Sequence, residues 1–226
     1  MAWIKTKSYK ESEGKLRKLY DRIKGPNDNV DNIMLVHSLR PNTLEGHMVL
    51  YKNVLHHASN TNPKWFLELI GVWVSILNNC DYCILHHFEG LKRLLNNDAH
   101  AENLKSFLLN KDLRSIPLEK KYIFALEYSQ KLTEEPQILE QSYIEGLQVK
   151  GFSDGEILEI NQVASYFNYA NRTVLGLGCN TCGDILGLSP GNSSDPNDWT
   201  HKEFDLFNFF TLEPKNFSFK LILLDI

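Results

Sequence analysis

Apolar side chains recur every three or four residues through most of the chain, which is the spacing of one face of an α-helix. The first such face ends before Gly25-Pro26 and consists of Leu16, Leu19, Tyr20 and Ile23. A second face follows Pro41 and consists of Leu44, Met48, Tyr51 and Leu55. No strand-like alternation of apolar and polar residues precedes position 189. The pattern therefore predicts an all-α fold.

The segment after Asn62-Pro63 is apolar on almost every side. Asparagine is a favoured N-cap residue and proline is favoured at the first helical position, so we expect a helix to begin at this dipeptide. A helix that is apolar nearly all round is expected to be buried. Its only charged side chain between Trp65 and Cys80 is Glu68. Because a buried carboxylate needs a partner or a raised pKa, Glu68 is either a proton acceptor or a polar wedge on the solvated side.

The next predicted helix carries two cysteines and a histidine on one face. It starts near Cys80, with Asn78 or Asn79 as the N-cap, which places Cys80 in the first turn. At about 100° per residue, Cys80, Cys83 and His87 fall within an arc of roughly 60°. Such a cysteine pair can cycle between dithiol and disulfide, and a helix N-terminus or an imidazolium favours the reactive thiolate. A metal half-site and a coincidental spacing are the competing interpretations.

Further helical patterns are found at 99–109, 118–133 and 138–149. The capping box Ser153-Asp154-Gly155-Glu156 then begins a long helix that ends near Gly176. From Ser189 the chain changes to the loop-like segment SPGNSSDPND. We therefore divide the chain into a helical domain, 1–188, and a C-terminal extension, 189–226, whose structure the sequence does not predict.

Composition narrows the environment and the partners. With 226 residues, 42% apolar and 23% charged, the chain is typical of a soluble globular protein. A net charge of −4 without a dense basic cluster argues against nucleic acid or an anionic membrane as a partner. Neither a signal-peptide core nor a run of about 20 apolar residues is present, so a cytoplasmic location is expected. Thiols are kept reduced there, and paired cysteines are then catalytic or metal-binding more often than structural.

Glu68, the eleven residues after it, Cys80-x-x-Cys83 and His87 together resemble the active-site signature of AhpD-like proteins. That superfamily includes the carboxymuconolactone decarboxylase-like proteins, and the closer likeness is to its subgroup of uncharacterised peroxidase-related enzymes. Members that lack the two cysteines are decarboxylases, so the cysteines here argue against that branch. The resemblance covers roughly residues 20–188. Three stretches carry it in order: VHSLRPNTLEGHMVLYKNVLHH (36–57), SILNNCDYCILHH (75–87) and GFSDGEILEINQVASYFNYANR (151–172).

The resemblance implies an AhpD-like helical bundle that assembles into homo-oligomers and acts as a thiol peroxidase without cofactor or metal. One cysteine attacks the hydroperoxide and becomes a sulfenic acid, the other condenses with it to a disulfide, and an external thiol or dithiol reductant restores the pair. Cys83 is assigned as the attacking thiol because His87 is its nearest base, and Cys80 as the resolving thiol. Glu68 connects to Cys80, directly or through a water molecule, in a proton relay. The helix N-terminus favours Cys80 as the more acidic thiol, so the order of the two thiols stays open.

Two further residues are supporting candidates. Tyr82 lies between the cysteines, where the alkylhydroperoxidase itself carries histidine. Arg172 follows Asn171 at the end of the long helix and also matches the subgroup; it is either a site residue, an oligomer contact or a helix-terminal cation. The alternative function is a helical oligomer that senses oxidant or binds zinc without turnover.

A second pair, Cys179-Asn180-Thr181-Cys182, lies outside the family pattern. It is a coincidence at a glycine-rich helix end, a second dithiol that relays electrons to the first, or half of a four-cysteine zinc site. The histidines at 56, 57 and 86 are possible ligands too. Single histidines on helices are nevertheless packed or solvent-facing more often than they are bound to metal.

Overall fold

The computed structural model describes residues 2–188, so the predicted extension at 189–226 lies outside the described residues. Within residues 2–188 the chain forms nine α-helices and no β-strand, which confirms the all-α prediction. In chain order the helices are α1 (Gly14–Ile23), α2 (Asn32–Leu35), α3 (Pro41–Tyr51), α4 (Lys64–Leu77), α5 (Asp81–Leu95), α6 (Asp98–Leu109), α7 (Lys120–Glu134), α8 (Gln141–Val149) and α9 (Asp154–Gly176). None of these nine is both long and apolar enough to span a membrane.

Helix α4 lies at the centre of the fold and packs against α5, α7 and α9. Every residue from Phe66 to Leu77 is buried, as its all-round apolar pattern predicts. The largest of these side chains, Trp73, is fully buried and donates a hydrogen bond from Nε1 to the carbonyl of Leu126 at 3.1 Å. The one carboxylate of this helix, on Glu68, is therefore enclosed by protein and has to be satisfied there.

The predicted start of α4 is wrong in detail. The helix begins at Lys64, and Pro63 occupies the N-cap position with extended backbone angles. The Asn62 side chain does not cap it; it donates to the Glu156 carbonyl at 3.0 Å and to the Glu159 carboxylate at 2.8 Å, both on α9. These two donated hydrogen bonds, one of them to a charged carboxylate, orient the Asn62 side chain toward α9 instead of toward the N–H groups at the start of α4. The capping box of Ser153 and Glu156 at the start of α9 is confirmed.

Gly71 allows the closest contact between α4 and α9. A Cβ atom at this position would overlap the ring of Phe167. Gly71→Ala is therefore expected to lower the free energy of unfolding by about 1–3 kcal/mol, because the core would have to displace a buried aromatic ring. Urea unfolding measures this effect. The matched control is Gly46→Ala in α3, where a Cβ meets nothing within 4 Å, and which is expected to be neutral or stabilising by up to about 1 kcal/mol. Equal stability of the two variants would contradict the packing argument.

Candidate active site

A tight turn between α4 and α5 positions Cys80. Asn78 ends α4 as its C-cap, and Asn79 takes a left-handed conformation with φ of 54°, which asparagine tolerates better than most residues. Cys80 itself is the N-cap of α5, with φ −101° and ψ 84°. The prediction that an asparagine caps α5 and that Cys80 lies in its first turn is therefore wrong by one position. Only Cys80 lies between the left-handed Asn79 and the first residue of α5, so Cys80 itself is the cap.

Cys80 and Cys83 form a buried pair of free thiols, exposed to 0% and 2%. The interaction with the Cys83 thiol lowers the pKa of Cys80 against the opposing effect of burial, and the backbone N–H groups of Cys83 and Tyr82 contribute in the same direction. These N–H groups belong to the first turn of α5, so the N-cap position gives Cys80 the donors that stabilise a thiolate. The same interaction, together with burial, raises the pKa of Cys83 well above its usual value. The pKa values of the two thiols thus shift in opposite directions, and Cys80 is the more acidic thiol of the pair.

Glu68 is paired with His87. The carboxylate Oε2 lies 2.8 Å from Nδ1 of the imidazole, and the two side chains are only 3% and 15% exposed. A carboxylate at Nδ1 fixes a proton on that nitrogen and leaves Nε2 for exchange with other groups. The edge of the His87 ring packs against Phe167 at 4.5 Å between ring centroids, which holds the imidazole in place. Glu68 therefore pairs directly with His87, and its expected connection to Cys80, directly or through water, stays a prediction.

A second histidine approaches the other oxygen of Glu68. The chain continues from α3 into one turn of π-helix, Lys52–His56, which the sequence pattern does not predict. This turn places Nε2 of His56 4.0 Å from Oε1 of Glu68. Irregular helical turns of this kind often occur next to functional sites. The buried carboxylate therefore lies between two imidazoles, which gives it the charge partners that its burial demands.

A small cavity of about 40 Å³ opens beside the thiols. Cys83 and His87 both line it, whereas Cys80 does not. One water needs roughly 10–15 Å³ measured in this way, so the cavity has room for a molecule of a few heavy atoms. The remaining wall includes Tyr51, Tyr166 and His47, whose rings pack on one another at centroid separations between 5.6 and 6.5 Å. Sequence reasoning missed these three residues, because each belongs to the ordinary apolar face of its helix and carries no separate signal.

Tyr82 anchors the segment after α9 to α5. Its hydroxyl donates to Oδ2 of Asp184 at 2.6 Å and accepts from the backbone N–H of Ile33 at 3.1 Å. The same carboxylate also lies 3.2 Å from Nε2 of His86, and Asn32 donates to it from both its backbone and its side chain. Burial and the nearby carboxylate raise the pKa of Tyr82 well above its usual value, so this side chain remains a neutral donor. Sequence reasoning missed Asp184, which stands 102 residues from its tyrosine partner and follows no motif.

The end of α9 contributes Asn171 to the site and turns Arg172 away from it. Asn171 is fully buried, accepts from the Asn78 side chain at 2.9 Å and donates to Oγ of Ser75 at 3.1 Å. A hydrogen bond from Asn171 to the Cys83 thiol also lowers the pKa of that cysteine against the larger opposing effects. Arg172 is exposed and binds the carbonyl and side chain of Asn168 on its own helix. Its supporting role is therefore restricted to the helix end.

Asp31 is a buried acid beside this network, and it makes stability depend on pH. Burial and the nearby Asp184 carboxylate raise the pKa of Asp31 from 3.8 to about 6, opposed by His86 and by a backbone hydrogen bond from Ile185. Between pH 3.8 and about 6, the carboxyl group of Asp31 is therefore protonated in the folded state and ionised in the unfolded state. Stability falls as pH rises through that window and stays at its lower level above pH 6, and the loss amounts to roughly 2–3 kcal/mol.

Asp31→Asn is therefore expected to raise the free energy of unfolding at pH 7.5 by about 1–3 kcal/mol, because the amide carries no charge to desolvate. At pH 4.5 the gain should shrink, since the carboxyl group of the unmodified chain is then mostly protonated. Urea unfolding at the two pH values measures the difference. Glu127→Gln, which removes an exposed acid on α7, is the control and should change stability at neither pH. A gain that is equal at both pH values would show that the charge of Asp31 is not its cause.

Within residues 2–188, no group of three or more His, Cys, Asp or Glu side chains has the arrangement needed to hold a metal ion. The zinc interpretation of the two cysteine pairs therefore receives no support from this part of the chain. Cys179 is half-buried and packs against the cluster of Cys80, Tyr82, Cys83 and Val174, and Cys182 is exposed. The two cysteine pairs are thus neighbours in space although they lie far apart in sequence.

Solved structures of other proteins are similar to this fold. The fold is similar to an uncharacterised peroxidase-related protein from Silicibacter sp. TM1040, with 25% identity, a TM-score of 0.59, and coverage of 67% of this chain and 76% of that one. It is also similar to the alkylhydroperoxidase AhpD core of an uncharacterised peroxidase-related protein from Ralstonia eutropha JMP134, with 16% identity, a TM-score of 0.69, and coverage of 80% and 92%. The chain has the fold of AhpD-like proteins. No protein-family model matches the sequence, and no curated protein does either.

The likeness to the Ralstonia protein establishes the AhpD-like fold, which confirms the predicted fold class. Most of the residues that the sequence singled out as a site lie together around one buried pair of thiols. The four main candidates and Tyr82 belong to α4 or to the turn and helix that follow it. Arg172 is the exception.

Proposed function

We propose that the chain is a thiol-dependent peroxidase that reduces hydroperoxides with the Cys80/Cys83 pair. The observation that carries this proposal is a pair of buried free thiols beside a cavity that one of them lines together with His87. A hydroperoxide in that cavity can contact the Cys83 sulfur directly. The two structural neighbours are described as peroxidase-related proteins, which agrees with such an activity. The volume of about 40 Å³ favours small hydroperoxides, with hydrogen peroxide the best fit.

Cys83 is the attacking thiol in this proposal because peroxide can reach it. The Cys83 proton passes to the Cys80 thiolate, to which it is already hydrogen-bonded. The Cys83 thiolate then attacks one peroxide oxygen and the O–O bond breaks, which leaves a sulfenic acid on Cys83 and an alkoxide or hydroxide. The imidazolium of His87, held by the Glu68 carboxylate, gives that leaving group its proton. Cys83 has then lost two electrons, and the peroxide has gained them.

The second step closes the disulfide. The Cys80 sulfur attacks the sulfenic sulfur, the S–O bond breaks, and the departing hydroxide takes the Cys80 proton to form water. One thiol, one thiolate, one imidazolium and one hydroperoxide are thus converted into a disulfide, a neutral imidazole, an alcohol and water. An external thiol or dithiol returns two electrons to complete the cycle. The predicted assembly into homo-oligomers stays a prediction.

Peroxide turnover tests the proposed function. Reduced protein is mixed with an excess of hydrogen peroxide and dithiothreitol, and peroxide consumption is measured against protein whose thiols have been alkylated beforehand. Many equivalents of peroxide per chain are expected to be consumed by the reduced protein, and only the background rate by the alkylated protein. Consumption of a single equivalent, with no further loss of peroxide while dithiothreitol remains, would identify a sensor and reject the enzyme.

A further inference from the structure

The buried position of the Cys80/Cys83 pair creates a problem for its own reduction. Thiol–disulfide exchange requires a thiolate to approach a disulfide sulfur directly. With exposures of 0% and 2%, neither sulfur offers a surface that a protein reductant can contact. The cavity on the Cys83 side has a volume of only about 40 Å³, which admits a peroxide and excludes the active site of another protein. Reduction by a protein dithiol therefore needs an intermediary.

The Cys179/Cys182 pair lies where such an intermediary is required. Cys179 follows α9 and contacts the buried cluster that contains Cys80 and Cys83, whereas Cys182 is exposed three positions later. The two cysteines thus extend from the buried pair to the protein surface.

The segment that carries the second pair is held in place by hydrogen bonds. The backbone N–H of Cys179 donates to the Val174 carbonyl at 3.0 Å. The Asn32 side chain donates to the carbonyls of Asn180 and Cys182 at 2.8 and 3.0 Å. Asp184 then joins the same segment to Tyr82 between the two site cysteines. This anchoring keeps Cys179 against α5, which a coincidental cysteine at a helix end would not require.

We propose that Cys179 and Cys182 form a second dithiol that reduces the Cys80–Cys83 disulfide and is itself reduced by an external dithiol protein at the surface. This inference rests on the proposed peroxidase function and adds the route by which electrons reach its site. Cys179, as thiolate, attacks the Cys80 sulfur; the Cys80–Cys83 bond breaks, Cys83 leaves as a thiolate, and a Cys179–Cys80 mixed disulfide forms. Cys182, as thiolate, then attacks the Cys179 sulfur and releases the Cys80 thiolate. The two thiol protons pass to the restored pair and to solvent, and two electrons have moved from the outer pair to the inner one.

Burial of Cys179 slows the exchange between the two cysteine pairs. It raises the pKa of Cys179 to about 11, so only roughly one chain in ten thousand carries the reactive thiolate at pH 7. The exchange between pairs, and not the reaction with peroxide, then limits turnover. The disulfide of the inner pair should therefore accumulate before that of the outer pair.

Trapping and turnover experiments test the relay. Reduced protein receives one equivalent of hydrogen peroxide, remaining thiols are alkylated at intervals, and the disulfides are mapped by mass spectrometry. In the unmodified chain a Cys80–Cys83 disulfide should form first and a Cys179–Cys182 disulfide afterwards. Cys182→Ser should accumulate the Cys179–Cys80 mixed disulfide, because the thiol that resolves it is missing. Cys83→Ser, which keeps the outer pair, should form no Cys179–Cys182 disulfide in the same interval, which excludes direct oxidation of that pair by peroxide.

Turnover with a thioredoxin-type protein as reductant provides the second measurement. Cys179→Ser and Cys182→Ser are expected to lose at least about tenfold in rate while forming the Cys80–Cys83 disulfide as fast as the unmodified chain. Thr181→Ser, between the two cysteines, is the matched control and should keep the full rate. If the inner disulfide forms normally and Cys179→Ser is still reduced at the unmodified rate, the relay is overturned and the peroxidase stands. If no inner disulfide forms in the unmodified chain, the proposed function fails and the relay fails with it.

Discussion

Replacing Cys83 with serine is expected to lower peroxide consumption by at least about 10³-fold, because it removes the thiol that the hydroperoxide meets in the cavity. Cys80→Ser should behave differently. It abolishes turnover with a dithiol reductant, but Cys83 remains in the cavity and is oxidised once. A sulfenic acid on Cys83 should therefore accumulate in Cys80→Ser and be absent from Cys83→Ser.

Stopped-flow mixing with hydrogen peroxide measures the first oxidation, and a 1,3-dione reagent followed by peptide mapping locates the sulfenic acid. Both variants replace a buried sulfur by a smaller oxygen on the same turn, so each serves as the structural control for the other. Thermal unfolding of the two variants completes the comparison. A sulfenic acid on Cys80 in the Cys83→Ser variant would reverse the assignment and make the more acidic thiol the attacking one.

Access and acidity favour different thiols in this site, and the hydrogen bond between the two thiols reconciles them. Cys80 is the more acidic thiol because the Cys83 thiol and the first N–H groups of α5 stabilise its thiolate, but it does not line the cavity. Cys83 lines the cavity, and its pKa is raised. Since the two sulfurs are hydrogen-bonded, one proton transfer exchanges their roles without moving a heavy atom. In the proposed reaction this transfer moves the negative charge from the protected thiol to the accessible one.

The local part of this site could be predicted from the sequence. Cys83 and His87 are one helical turn apart, so periodicity alone places them on one face of α5. Glu68 was identifiable because a single carboxylate in an otherwise apolar helix has to find a partner when the helix is buried. The start of α5 was predicted one residue too early. The turn at 78–80 is so tight that Cys80, which was expected in the first helical turn, is the N-cap itself. Sequence patterns locate helix ends only within a residue or two.

The non-local part could not be predicted. Asp184 reaches Tyr82 across 102 positions, and Asn171 reaches Ser75 across 96, so no spacing rule connects them. The direct pairing of Glu68 with His87 was not predicted either, because the relative rotation of α4 and α5 decides whether the carboxylate faces an imidazole or a thiol. That rotation depends on the packing of whole helix faces, including the contact that Gly71 permits with Phe167. The relative rotation of α4 and α5 can therefore be read only from the three-dimensional structure.

The second large effect is expected for Glu68→Gln. This change keeps the size of the side chain and an oxygen that can accept from Nδ1 of His87, but it removes the negative charge beside the imidazolium. The rate of Cys83 oxidation is expected to fall by about 10²-fold, because the leaving oxygen then has no well-supported proton donor. The matched control is Glu89→Gln on α5, whose carboxylate pairs with Lys92 at 2.8 Å near the surface, and which should leave the rate unchanged.

The double variant Glu68→Gln/His87→Gln separates a catalytic pair from a merely structural one. If Glu68 acts only through His87, the double variant should oxidise no more slowly than His87→Gln alone, because residues that act as a unit are not additive. Stopped-flow oxidation and urea unfolding are measured on all four forms of this cycle. Rate losses that multiply would show that the carboxylate acts on the thiols by a route that does not pass through the imidazole. An unchanged rate in Glu68→Gln would remove the pair from the chemistry altogether and leave solvent as the proton donor to the leaving oxygen.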